Sequence, residues 1–82
     1  MALCVLAENL LAKSRHRIDG DSVTAKLSVL ICENDEGDEE FLYWIQLFDS
    51  EGEIMMKEAL IDFISASETF ERLKGTLGSA IE

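Results

Sequence analysis

Residues 22–33, SVTAKLSVLICE, alternate in polarity with a period of two. Val23, Ala25, Leu27, Val29 and Ile31 take one side; Thr24, Lys26 and Ser28 take the other. Successive side chains of a strand point to opposite faces, so this run reads as a half-buried antiparallel strand. It obliges the chain to build a sheet. Residues 41–49, FLYWIQLFD, supply a second strand, with Phe41, Tyr43, Ile45 and Leu47 on one face. Its other face carries Leu42, Trp44, Gln46 and Phe48 and is hardly polar. The segment DSEGE, 49–53, is a tight turn by composition, and a third strand begins at Glu53 with Ile54 and Met56. Strict alternation there would turn Glu58 and Asp62 towards the core. A bulge near Lys57-Glu58 would avoid this, with Ala59, Ile61 and Phe63 inward and the strand ending at about Phe63. A helical turn over 57–63 is the alternative.

The flanks read as helices. Leu3, Leu6, Ala7, Leu10 and Leu11 have the spacing of one apolar helix face, and residues 2–17 are rich in helix formers. Lys13, Arg15, His16 and Arg17 stand at the far end, where cations suit the helix dipole, and Asp19-Gly20 stops the run. His16 is then a capping or exposed side chain. Ser65 and Glu68 have the spacing of a capping box. A helix over 66 to about 80 follows, with Phe70, Leu73, Leu77 and Ile81 on one side. The expected fold is a single α+β domain over 1–82, ordered α-β-β-β-α, with both helices on one face of a three-stranded antiparallel sheet. That order is similar to the double-stranded-RNA-binding domain. The second helix of that family opens on a lysine cluster for phosphates, where this chain reads SASETFERLK, so the likeness implies no nucleic-acid binding.

The chain has 82 residues, 48% of them hydrophobic, so a modest core needs no metal or disulfide. Cys4 and Cys32 each sit in an apolar run with no metal or redox spacing and read as buried, reduced thiols. The N-terminal apolar run lacks a leading basic segment and is too short to span a bilayer. A soluble, cytoplasmic protein is expected.

Net charge is −10 and unevenly spread: residues 1–28 balance at +1 and residues 29–82 at −11. Such a balance speaks against direct nucleic-acid contact and anionic membranes, and leaves basic protein partners. The densest stretch is ENDEGDEE, 33–40, with six carboxylates in eight residues. The bland reading is a solvated hairpin loop. A calcium loop fails, because with Gly37 at the glycine position the first ligand falls on Cys32. The third reading is a carboxylate surface that occupies a groove built for phosphates.

No triad, glycine-rich phosphate loop, CxxC or zinc spacing is present, and one histidine cannot complete a nucleophile–base set. No cofactor, metal or catalytic residue is therefore expected. The sequence reads as a non-enzymatic protein-binding module. The specific form is a small inhibitor or adaptor, DNA-mimic-like, that docks on the basic surface of a larger protein, as suits phage or mobile-element inhibitors of this size and charge. Its candidate contact residues are Glu33, Asp35, Glu36, Asp38, Glu39, Glu40, Leu42, Trp44, Phe48 and Glu51. The alternative is a homodimeric or larger structural or chaperone-like subunit whose acidity serves solubility.

Overall fold

The computed structural model describes residues 4–78. Four strands, β1 (Cys4–Ile18), β2 (Asp21–Glu33), β3 (Glu39–Phe48) and β4 (Ile54–Leu60), precede one helix, α1 (Phe63–Leu77). The strands form an antiparallel meander in the order β1-β2-β3-β4. The expected three-stranded sheet with two helices is therefore corrected to four strands and a single C-terminal helix, and the likeness to the double-stranded-RNA-binding domain goes with it.

The correction lies at the N-terminus. Residues 4–18 are an edge strand paired with β2 over its whole length. The register steps by one residue at Leu6 and again at Leu11. Each step is a bulge, in which two residues oppose one. The bulges break the period of two, and the leucine spacing that results imitates a helix. Leu3 lies outside the described residues. Past the second bulge the alternation is strict. Lys13, Arg15 and Arg17 take one face, and Ser14 and His16 take the other and are buried. Asp19 and Gly20 do not stop a helix. Both adopt positive φ (52° and 87°), as a two-residue type I′ hairpin turn requires.

The helix covers one face of the sheet. Val23, Ala25 and Leu27 of β2 and Ile45 and Leu47 of β3 close on Ala66 and Phe70 of α1. Met56 and Leu60 of β4 pack at the edge of this cluster. No bulge occurs at Lys57-Glu58. Glu58 pairs with Ile45 on the helix side and stays exposed on an edge strand, and the register step in β4 falls at Met55. The strand ends at Leu60, and Asp62 caps α1 by accepting the Ser65 N–H at 2.8 Å. The helix thus starts three residues before the expected 66, and Ser65 lies within its first turn. Residues 79–80 and Ile81 of the expected helix lie outside the described residues. No helix is long and apolar enough to cross a membrane among the described residues.

His16 fastens the helix end to the sheet. It is 1% exposed. Its Nδ1 lies 3.0 Å from the Gly78 carbonyl oxygen, and Ser14 Oγ lies 2.7 Å from its Nε2. A carbonyl only accepts, so Nδ1–H donates; Nε2 of the neutral ring then accepts from the Ser14 hydroxyl. The expected cap or exposed side chain is a buried structural histidine. Replacing His16 by Phe leaves the Gly78 carbonyl unsatisfied and costs about 1–3 kcal/mol, measured as a lower urea midpoint. An unchanged midpoint contradicts the tie.

Candidate functional site

The acidic stretch is built as a shaped loop. Asn34 Oδ1 accepts the N–H groups of Glu36 (2.9 Å) and Asp38 (3.0 Å). The Asn34 N–H bonds the Asp38 carbonyl at 3.0 Å, and Gly37 sits at φ 85°, which an L side chain adopts only under strain. The β3–β4 turn repeats this plan. Asp49 Oδ1 accepts from Glu51 and Glu53, both at 2.9 Å, the Asp49 N–H bonds the Glu53 carbonyl, and Gly52 has φ 86°. Both are three-residue hairpin loops closed by a left-handed glycine. The shared spacing, Asn/Asp-x-Glu-Gly-Asp/Glu, is visible in the sequence once the two are set side by side.

The loops hold their carboxylates apart from one another. Glu33, Asp35, Glu36, Asp38, Glu39 and Glu40 gather at one end of the sheet, with Glu39 directly across from Glu33. Glu51 belongs to the other end with Asp49 and Glu53. The ten residues of β3 separate the two ends by roughly 30 Å. Among the described residues, no cation pairs with the carboxylates of 33–40. No three His, Cys, Asp or Glu side chains among the described residues are placed to hold a metal ion.

Beside the acidic loop lies a groove of about 730 Å³. It exists because β4 stops short. Its last pair is Leu60 with Tyr43, so residues 39–42 of β3 have no neighbour on that side. The chain turns there through Ile61 and Asp62 into α1. Phe41, Leu42, Tyr43, Ile61 and Phe63 supply apolar lining, and Glu39, Glu40 and Asp62 supply carboxylates. Phe41, Ile61 and Phe63 are 52%, 84% and 51% exposed. The Tyr43 and Phe63 rings meet at 5.6 Å between centroids.

Leu42, Trp44 and Phe48 occupy the face away from α1, where no described element covers them. Lys57 Nζ sits 4.2 Å from the Trp44 ring centre, and Lys26 Nζ 4.9 Å from that of Phe48. The strand pairing therefore brings Glu40, Leu42, Trp44 and Phe48 onto one surface. It leaves Glu33 and Glu39 on the opposite face at the acidic end and Glu51 on the distant turn. Of the two thiols, Cys32 is buried as expected, but Cys4 is exposed. Cys4 pairs with Glu33 and Val5 with Cys32, so the two sulfurs point to opposite faces and cannot join within the sheet.

Sequence reasoning passed over two groups. Phe41, Ile61 and Phe63 were expected to face a core and instead line an open groove. Lys13, Arg15 and Arg17 were placed at a helix end and instead share the Trp44 face. The alternation K-S-R-H-R is the signal that could have found the second group. No family model, curated protein or solved structure matches the chain. Removing the loop-shaping acceptor with Asn34→Ala should destabilise the fold by about 1 kcal/mol in chemical denaturation, and Asn34→Asp should retain most of it. Equal stability of Asn34→Ala and wild type would show that the side chain does not shape the loop.

Proposed function

We propose that this protein is a non-enzymatic binding module whose acidic end receives a basic partner protein, in the manner of a small inhibitor or adaptor. One observation carries the reading. The groove beside β3 combines exposed aromatic and aliphatic lining with carboxylates, and four further acids, Glu33, Asp35, Glu36 and Asp38, crowd the loop next to it. Apolar anchors in a cleft supply affinity, and rim charges steer the partner and speed its arrival. A cationic segment with one or two large apolar side chains matches both features. The unpaired stretch of β3 at 39–42 offers backbone groups to an extended segment, which favours a partner that lays a strand along it.

The compact acidic end supports this reading better than a phosphate-like ridge along the whole molecule. The second acidic loop, with Glu51, lies at the far end of β3 and cannot join the first on a short contact. Imitation of nucleic acid is therefore local, confined to Glu33–Glu40 and the neighbouring Asp62.

Titration with a peptide of alternating lysine and leucine, followed by Trp44 fluorescence, tests the proposal. Glu36→Gln, Asp38→Asn and Glu39→Gln together should weaken binding about tenfold and flatten its salt dependence. Phe63→Ala should weaken binding with little change in salt dependence. Absence of binding by the wild type, or binding indifferent to both changes, overturns the reading.

A further inference from the structure

The sheet face away from α1 carries an ordered pattern that the acidic-end reading does not use. Strand pairing sets its residues in cross-strand rows. At the acidic end are Val5–Cys32–Glu40 and then Glu8–Leu30–Leu42. The middle row is Leu10–Ser28–Trp44–Ala59. Beyond it come Lys13–Lys26–Gln46–Lys57, Arg15–Thr24–Phe48–Ile54 and Arg17–Ser22. Five of the seven Lys and Arg residues of a chain with net charge −10 thus share one half of one face.

This half is crowded by like charge. Lys13 stands directly across from Lys26, and Asp49 of the β3–β4 turn lines the same hollow as Lys13, Arg15 and Lys26. The other half is apolar and acidic. Val5 and Leu10 are both 55% exposed, and Leu30 between them and β3 is buried. The Trp44 indole nitrogen is shut away from solvent without a hydrogen-bond acceptor.

We propose that this face is covered by a second copy of the same chain, packed sheet to sheet with the strands antiparallel. A two-fold axis in the plane of contact and across the strands sets the acidic end of each copy on the basic end of the other. It brings Glu8 towards Arg15, and the middle row with Trp44 towards the row that holds Gln46. A two-fold axis along the strands would set like charge on like charge and is rejected on that ground. The face measures about 40 by 19 Å from strand length and spacing. Its area, roughly 750 Å², approaches the ~800 Å² per partner of a standard stable interface. Single-stranded nucleic acid fits less well. Its bases need open aromatic faces, and both aromatic rings on this surface already carry a lysine, while Glu8 and Glu40 repel phosphate.

Sedimentation equilibrium from micromolar to millimolar concentration tests the assembly. The wild type should approach twice the monomer mass. Lys13→Glu, Lys26→Glu and Lys57→Glu together make both halves of the face acidic, and Glu8→Lys with Glu40→Lys makes both basic. Each set should weaken self-association at least about tenfold, and mixing the two variants should restore the dimer. Glu40 also lines the acidic groove, so the readout is mass and not partner binding, and the two proposals fail separately. A wild type that stays monomeric throughout overturns the proposal, as does a dimer unmoved by either set, or variants that do not associate when mixed. A monomer that binds a single-stranded oligonucleotide would assign the face to nucleic acid instead.

Discussion

The register of β1 on β2 decides the rest of the molecule. Side chains of a strand change face with every residue, so a slip by one position would carry Lys13, Arg15 and Arg17 under the helix. The same slip would push Ser14 and His16 into solvent and release the Gly78 carbonyl. The register is held from one end by Asp19-Gly20, whose paired positive φ values permit only a two-residue turn. It is then adjusted twice, at Leu6 and Leu11. The bulges serve a second end. An edge strand of fifteen residues offers a long row of unpaired backbone groups, and bulges and cations are what keep such an edge from pairing at random.

From that register follows the separation of chemistry on the surface. One face buries Val23, Ala25, Leu27, Ile45 and Leu47 under α1. The other gathers cations at one half and apolar and acidic residues at the other. A net charge of −10 describes the chain but no part of its surface. Electrostatic recognition depends on where charge lies, and here one sheet face is locally basic while one sheet end is strongly acidic. The short reach of β4 adds the groove, because a strand ending at Leu60 cannot cover the first four residues of β3.

Much of this was legible in the residues. The alternation of 22–33 and 41–48 gave both central strands and the face of Trp44, and the composition of 49–53 gave the turn. The N-terminal strand was not legible from leucine spacing. Two bulges insert a residue each, and period two with such insertions resembles period 3.6 over ten residues. The better signal lay further on, where K-S-R-H-R alternates and Asp19-Gly20 marks a hairpin. Helix propensity lost because a thirteen-residue β2 with buried side chains on both faces needs a neighbour on each edge. The helix start was misplaced for a local reason. Asp62 and Ser65 are both capping residues, and the earlier one wins once β4 ends at Leu60. The groove was not legible at all, since it depends on where one strand stops relative to another.

Nuclear Overhauser contacts of the isotope-labelled protein test the register most directly. The account predicts cross-strand contacts of Lys13 with Lys26 and of Ser14 with Ala25, together with contacts between the His16 ring and Gly78. Contacts between residues three apart along 4–18, the mark of a helix, would contradict it. So would a sheet in which Lys13 lies opposite Ala25, because that register sends the basic residues to the helix face.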